Sequence, residues 1–271
     1  MVSKSTDLVS VKRISRFWSK KSLYASVVVI FFLAISIISC TSSYQREAYQ
    51  HFTLAYKLDS QSLYYKAIEE YSKAIDIDPN YAEAYTNRGV CYRNTGEIDK
   101  AVADHKRAIQ LKPDEAKPYI NLGDDYKDQG KFDLALDNYN KGIELDPEYA
   151  PAYINRSIVY MTEGLYDLAI ADCTKAIDLN DKLIGGYVNR GSAYHGSQQY
   201  QLAVNDFTQA ILLQPNLGEL YCDRGQSYKR LGNKQAAISD FEKCISLSTN
   251  QIVIQKARSE IEGLTNTAPI Y

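Results

Sequence analysis

Two consecutive stretches of 34 residues, AEAYTNRGVCYRNTGEIDKAVADHKRAIQLKPDE (82–115) and AKPYINLGDDYKDQGKFDLALDNYNKGIELDPEY (116–149), share one pattern of small, aromatic and proline residues. Each stretch has alanine at its twentieth position and proline at its thirty-second. The same spacing continues outward, because Pro79, Pro113, Pro147 and Pro215 lie 34, 34 and 68 residues apart. The sequence therefore predicts a tandem repeat with a period of 34 residues.

Six repeats follow when each of these prolines is placed at position 32. They span 48–81, 82–115, 116–149, 150–183, 184–217 and 218–251. Positions 8, 20 and 27 hold small residues in every repeat, while positions 4, 11 and 24 are mostly aromatic. Small residues let two helices approach closely, and aromatic side chains fill the space between them. We expect each repeat to be a helical hairpin, with helices A and B, that buries its apolar face only against its neighbours.

The pattern resembles the tetratricopeptide repeat (TPR), a family with a 34-residue period. The resemblance implies an all-α superhelical solenoid of six helix-turn-helix repeats, whose A helices line a concave groove. After the last repeat, residues 252–264 place Ile252, Ala257 and Ile261 on one helical face, which predicts a C-terminal capping helix. Residues 265–271 are expected to be a loose tail.

The first 40 residues differ from the repeats in charge and hydropathy. Residues 1–22 carry six basic residues and one acid, and residues 23–40 read LYASVVVIFFLAISIISC, without a charged residue. A basic segment before an apolar run is typical of a secretory signal or a transmembrane helix, although 18 residues is near the lower limit for a span. Residues 41–47 are predicted to be a short linker.

The end of the apolar run, Ile37-Ile38-Ser39-Cys40, resembles the lipobox of bacterial lipoprotein signal peptides. The resemblance implies lipidation of Cys40 and cleavage before it. The alternative is an uncleaved signal anchor. Because the positive charge precedes the apolar run, both alternatives export the repeats. We therefore expect a membrane-anchored protein with its repeats on the extracytoplasmic side, as a bacterial envelope lipoprotein or a single-pass anchor.

Positions 7 and 23 of the repeat change together. Position 7 is Arg in four repeats and Leu in two, and position 23 is Asp wherever position 7 is Arg. Arginine meets a carboxylate with two parallel hydrogen bonds, so structural ion pairs are predicted, within a repeat or across one interface. The alternative is a basic groove that binds a ligand. The residues are Arg88, Arg156, Arg190 and Arg224 with Asp104, Asp172, Asp206 and Asp240.

Position 6 carries a series of polar residues: Asn87, Asn121, Asn155, Asn189 and then Asp223. The series is similar to the asparagine ladder in the TPR domain of O-linked N-acetylglucosamine transferase, which grips the backbone of an extended peptide. A primary amide both donates and accepts hydrogen bonds, so it suits a peptide group. The alternative is that these asparagines stabilise the helix start locally. The other predicted groove residues are Lys117, Ile120, Asp124, Ile154, Ile158 and Arg230.

Charge and motifs argue against nucleic-acid binding and catalysis. The formal net charge is −2, with 31 basic and 33 acidic residues, whereas nucleic-acid proteins usually carry a basic excess. The sequence has no Walker A loop, GxSxG, HExxH or GxGxxG motif, so no enzyme activity, cofactor or metal is expected. The last four of the five cysteines are predicted to be small buried residues, although an exported domain leaves one disulfide open.

The predicted function is therefore the binding of proteins or peptides. In the first hypothesis, the chain is a membrane-tethered scaffold or adaptor that binds extended peptide segments or partner proteins in its concave groove. It resembles bacterial TPR lipoproteins that are adaptors for peptidoglycan hydrolases or pilotins for pilus assembly. In the second, it is a non-catalytic targeting subunit that delivers a separate enzyme or assembly machinery to substrates at the cell envelope.

Overall fold

The computed structural model describes residues 43–266, which form thirteen α-helices and no β-strand. The predicted signal or anchor segment, with Cys40, lies outside these residues. None of the helices within 43–266 is long and apolar enough to cross a lipid bilayer. In chain order they are α1 (43–60), α2 (Tyr64–Ile77), α3 (Ala82–Asn94), α4 (Ile98–Leu111), α5 (Ala116–Asp128), α6 (Phe132–Leu145), α7 (Ala150–Thr162), α8 (Tyr166–Leu179), α9 (Ile184–Gly196), α10 (Tyr200–Leu213), α11 (Gly218–Arg230), α12 (Lys234–Leu247) and α13 (Gln251–Thr265).

Odd-numbered helices up to α11 are the A helices of the repeats, and even-numbered helices are the B helices. Helix α1 includes residues 43–47, so the prediction of a linker at 41–47 is wrong for these five residues. The segment holds Gln45, Arg46 and Glu47 and no glycine or proline. Residues of this kind favour a helix, and nothing in the segment separates it from the first repeat.

The turn from helix A to helix B requires a left-handed backbone at position 15. Glycine provides it in four repeats, with φ between 71° and 82° at Gly96, Gly130, Gly164 and Gly232. Glycine adopts this conformation without steric cost because it has no Cβ. Ser62 and Gln198 occupy the same position with φ of 58° and 65°, so repeats 1 and 5 carry local strain there.

The loop from helix B to the next repeat is held by a tyrosine–proline contact. The position-4 hydroxyl of one repeat donates to the carbonyl of the position-32 proline before it. Tyr119 does so to Pro113 at 3.2 Å, and Tyr221 to Pro215 at 3.0 Å. Proline cannot continue helix B, and its free carbonyl becomes an acceptor for the next helix A. This contact gives tyrosine a structural role at position 4 of repeats 3, 4 and 6.

By their contacts, the described residues fall into two units, one ending at Cys91 and the other beginning at Tyr92. In the first unit, Ala55, Ala67 and Ala84 are fully buried around the Tyr71 ring, and Phe52 packs against that core. The small residues at positions 8 and 20 thus leave room for the aromatic ring at position 24.

In the second unit, each helix from α4 to α13 packs against the next one in the chain. The A helices also contact the A helix of the neighbouring repeat: α5 contacts α7, α7 contacts α9, and α9 contacts α11. They therefore form one continuous surface. We call it the A-helix face; it includes the position-6 residues Asn121, Asn155, Asn189 and Asp223.

Candidate functional site

The A-helix face brings together most of the predicted groove residues of the second unit. Lys117 is exposed at the start of α5, and Arg230 is exposed at the end of α11. Ile154 and Ile158 are partly buried on α7. Both ends of the face are thus charged, and its middle is partly apolar.

Ile120 is not available on this face. Its side chain is 3% exposed and points toward α6, where a Cβ added at Gly142 would lie 2.5 Å from its Cγ1. The prediction of Ile120 as a groove residue is therefore wrong. Position 5 faces position 27 of the same repeat, so Ile120 is part of the helix A–helix B core.

Asp124 and Asn155 bind each other on the A-helix face. The Asn155 amide donates to Asp124 Oδ1 at 3.0 Å, and the Tyr139 hydroxyl donates to the same oxygen at 2.6 Å. Arg93 Nη1 donates to Asp124 Oδ2 at 3.2 Å. Both carboxylate oxygens of Asp124 therefore have donors inside the protein, and one Asn155 donor is used in the same network.

The other asparagines at position 6 differ in their hydrogen bonds and in their burial. Asn189 donates to Ser157 Oγ at 3.3 Å, a longer contact. Asn121 is 9% exposed, and its Nδ2 has no hydrogen-bond partner among the described residues. Asn87 lies in the first unit beside the buried Tyr71 hydroxyl. A buried amide without an acceptor is costly, and Asn121 differs from Asn155 and Asn189 in that its Nδ2 donates to no group of the described residues.

Arg156, Arg190 and Arg224 each clamp two B helices. Nε and Nη2 donate to both oxygens of an aspartate 16 residues later, at 2.7 and 2.6 Å for Asp172 and 2.8 Å for every bond to Asp206 and Asp240. Nη1 donates to a residue 16 positions earlier: Asn140 at 2.6 Å, Thr174 at 3.1 Å and Thr208 at 3.1 Å. Every guanidinium nitrogen is thus engaged within the protein, which favours a structural role over ligand binding.

The charge of these arginines is stabilised by their partners. Hydrogen bonds to Asp206 raise the pKa of Arg190 although burial opposes the charge. Tyrosine rings also lie beside the guanidinium groups, as Tyr153 and Tyr160 do at 5.7 Å from Arg156. Such cation–π contacts add to the attraction. In the first unit, Arg88 donates to Ser72 at 3.0 Å, while its pairing with Asp104 of the second unit stays a prediction.

Asp223 departs from the asparagine series in chemistry and surroundings. Its side chain is exposed, and it lies at a hollow between α11 and α13. The surrounding chain removes part of its hydration, which raises the pKa of the carboxyl to about 6, while Lys256 acts in the opposite direction. A carboxylate with this pKa titrates close to neutral pH.

Two cysteines of the last repeat form a disulfide between Cys222 and Cys244, with their Cα atoms 5.4 Å apart. Of the four cysteines predicted to be small and buried, Cys91, Cys173 and Cys244 are fully buried and Cys222 is partly buried. The pair Cys222–Cys244 forms the one disulfide that the sequence had left open, and Cys91 and Cys173 are free. The pair occupies positions 5 and 27, which face each other in every repeat. That register is the signal in the sequence that would have revealed the disulfide.

No group of three or more His, Cys, Asp or Glu side chains able to hold a metal ion is present in the described part of the chain. The buried charges that exist are paired instead. His105 Nδ1 lies 2.5 Å from Asp125 Oδ2, and both side chains are fully buried. The arrangement of the second unit is thus one of packed hairpins with a polar face.

The hairpins match models of one protein family. A "Tetratricopeptide repeat" model matches residues 82–115, and a second matches 150–183, 184–217 and 218–251. A "TPR repeat" model matches 60–94 and 123–164. The chain belongs to the tetratricopeptide-repeat family. Among curated proteins, no sequence matches this TPR chain.

Several solved structures are similar to this one. PilW, a type IV pilus biogenesis factor, has a TM-score of 0.72 at 20% identity, covering 78% of this chain and 98% of PilW. YrrB, a TPR protein with an unusual peptide-binding site, has a TM-score of 0.57 at 19% identity, covering 70% of this chain and 97% of YrrB. The APC/C hetero-tetramer Cut9–Hcn1 has a TM-score of 0.71 at 20% identity, but only 42% of its chain is covered, against 80% of this one. At these identities the similarity shows the fold alone.

Proposed function

We propose that this TPR protein is a membrane-tethered, non-catalytic adaptor that binds extended peptide segments of partner proteins along its A-helix face. The observation that carries the proposal is Asn121, whose nearly buried amide lacks an acceptor on that face. A primary amide has two N–H donors, and a peptide carbonyl can accept from them. The TPR fold supports a protein-interaction scaffold in general, and the similar protein YrrB has a peptide-binding site.

The surroundings of Asn121 favour an extended peptide over a small molecule. Asn189 lies two repeats further along the same face, and its contact to Ser157 is long enough at 3.3 Å to be exchanged for a ligand. Ile154 and Ile158 lie between them on α7 and are partly exposed. A row of amide groups beside apolar side chains offers backbone contacts together with side-chain contacts, as extended peptides require.

The tether and the export rest on the sequence of residues 1–40 and on the disulfide. A basic segment followed by an apolar run and Cys40 is the pattern of a lipoprotein signal or an anchor. The Cys222–Cys244 bond supports export independently, because structural disulfides persist in oxidising compartments and are rare in the cytosol. Both features point to an extracytoplasmic TPR domain close to a membrane.

Peptide binding is tested with the full chain in nanodiscs and a degenerate library of dodecapeptides as the probe. Asn121→Ala is expected to lower the amount of retained library about fivefold, the loss of roughly one neutral hydrogen bond. The matched control is Asn138→Ala on α6, a partly buried asparagine whose amide donates to the Leu134 carbonyl. Equal retention by wild type and Asn121→Ala, with circular dichroism unchanged, would contradict the proposal. So would retention no greater than that of empty nanodiscs.

The tether is tested by intact mass and membrane fractionation of wild type beside Cys40→Ala. A mature chain that begins at Cys40 with an added diacylglyceryl mass, and a variant that is not processed, identifies a lipoprotein. A membrane-bound chain that begins near Met1 identifies an uncleaved anchor. Recovery of unmodified wild type in the soluble fraction would overturn the membrane part of the proposal.

A further inference from the structure

A hollow lies between α11 and the capping helix α13, at the end of the A-helix face. Its wall is apolar: Phe241 and Ala257 are buried there, and Val253 and Cys222 border it. Its volume is about 130 Å³, well below the roughly 300–1,000 Å³ of pockets that hold whole small molecules. The hollow therefore has room for a single side chain.

Of the carboxylates around the hollow, Glu260 and Glu219 have partners within the protein and Asp223 has none among the described residues. Glu260 on α13 is bound to Lys229 at 2.5 Å, and Glu219 on α11 accepts a long contact of 3.4 Å from Ser248. The Asp223 carboxylate has no hydrogen-bond donor among the described residues. Lys256 on α13 is exposed and reduces the negative potential without binding Asp223 directly. The remaining charge at the centre of the hollow is negative.

We propose that this hollow binds one lysine or arginine side chain of the peptide on the A-helix face. The aliphatic stem lies against Phe241 and Val253, and the cationic head meets the Asp223 carboxylate. The inference rests on the proposed peptide binding and adds a preference to it. Lysine and arginine bury their stems along apolar surface while their charge stays near solvent, which matches an apolar wall with one open carboxylate.

The electrostatics of Asp223 agree with this assignment. Partial desolvation raises the pKa of this carboxyl to about 6, so Lys256 compensates the charged form only in part. A bound cation supplies that compensation. Because protonation removes the charge, the preference for basic residues is expected to fall about tenfold between pH 7 and pH 5.

The other groups near the hollow respond differently to pH. Glu260 has a lowered pKa because it accepts a hydrogen bond from Lys229, so it stays charged over this range. His195 on α9, which borders the adjoining hollow with Asp223, has a lowered pKa through burial and the nearby Arg230. Glu219 and Lys256 complete the charged set, and α12 contributes only Phe241 to the wall.

The experiment uses the full chain in nanodiscs and the degenerate dodecapeptide library, with the retained peptides sequenced by mass spectrometry. Wild type is expected to enrich lysine or arginine at least fivefold at one position. Asp223→Asn should abolish that enrichment and its pH dependence while still retaining peptides. This variant restores the asparagine found at position 6 of four other repeats, so we expect it to fold. The matched control is Asp128→Asn, which removes an exposed carboxylate from the end of α5 and should leave the enrichment unchanged.

The outcomes separate this inference from the proposed function. Peptides retained without a basic preference, with an acidic preference, or with a basic preference that survives Asp223→Asn would overturn the role of the hollow while peptide binding stands. Loss of the preference in Asp128→Asn as well would also overturn it, because the effect would then come from general charge. If wild type retains no more peptide than empty nanodiscs, both the adaptor function and the hollow's role are rejected.

Discussion

Two junctions of the second unit place their charged contacts differently. At the junction of repeats 5 and 6 the contacts reach the B helices, and at the junction of repeats 2 and 3 they lie between the A helices. In the former, Arg224 bridges Thr208 of the preceding B helix and Asp240 of its own. In the latter, the arginine is replaced by Leu122, which is buried. Lys106 takes the place of the threonine and lies 5.7 Å from the ring of Tyr126. The B-helix clamp is therefore missing from this junction.

The junction of repeats 2 and 3 carries its charges on the A-helix side instead. Arg93 lies 3.2 Å from Asp124 and 3.6 Å from Asp125, and it donates to the Asn121 carbonyl at 3.3 Å. Asp125 in turn binds the buried His105. The residues that join these two repeats thus contact the asparagine that we assign to the ligand. Here packing and binding share residues, whereas at the other junction the clamp lies between B helices.

The largest effect is expected from breaking the B-helix clamp. Asp240→Ala leaves the half-buried Arg224 without its carboxylate and should destabilise repeat 6 by about 3 kcal/mol. Hydrogen exchange of α11 and α12 is the measurement, because repeats of a solenoid open locally. Asn138→Ala alters position 23 in a repeat that has no clamp and should change exchange little. Similar exchange in the two variants would mean that the clamp does not set stability.

A double-mutant cycle at His105 and Asp125 measures how strongly the buried pair stabilises the junction of repeats 2 and 3. Asp125→Ser alone should cost about 2 kcal/mol, because His105 and Arg93 lose their buried acceptor. His105→Phe with Asp125→Ser reproduces the residues of the repeat 5–6 junction, Phe207 and Ser227, and should recover part of the loss. A coupling energy of about 1–2 kcal/mol is expected from urea denaturation. Strict additivity would show that the pair acts as two separate residues.

The smallest effect concerns the A–B turns. Gln198→Gly should stabilise repeat 5 by about 0.5–1 kcal/mol, since the left-handed conformation at position 15 strains every residue that has a Cβ. The reverse change in repeat 3, Gly130→Gln, should cost a similar amount because Gly130 has φ of 71°. Urea midpoints of the two variants should move in opposite directions, and a shift of both in one direction would remove turn strain as the cause.

The fold follows from the sequence because its decisive residues recur at a fixed spacing. Alanine at position 20 and proline at position 32 predict the hairpins, and both the structure of residues 43–266 and the family models confirm helical TPR repeats. One signal in the sequence was missed. Position 25 is Ser, Asn or Thr in every repeat that comes before a repeat with Arg at position 7. It is Lys106 in the repeat that comes before Leu122. The Ser, Asn or Thr at position 25 is the second partner of the arginine in the clamp.

The candidate site was harder to predict because neighbours at one repeat position differ. Asn121 and Asn155 are equivalent by register, yet only Asn155 finds an internal acceptor, since Asp124 lies beside it. Ile120 is predicted in the groove because the resemblance to TPR proteins implies that position 5 points into it, but its side chain turns toward Gly142. Periodicity gives the face of a helix, and the contacts on that face depend on single side chains.

The arginine clamp also decides which repeats are interchangeable during duplication and loss of genetic segments. Removing 150–183 would bring Arg190 to Asn140, the amide that Arg156 now uses, and Tyr187 to Pro147, the carbonyl that Tyr153 now uses. The shortened array would keep the arginine clamp and the tyrosine–proline contact at the new junction. Removing 116–149 would instead place Lys106 beside Arg156 at the new junction, where the two positive charges would repel each other. Within the second unit, repeat 3 thus separates the junction without an arginine clamp from the junctions that have one. Loss of a repeat is expected to be tolerated better after repeat 3 than when repeat 3 itself is removed.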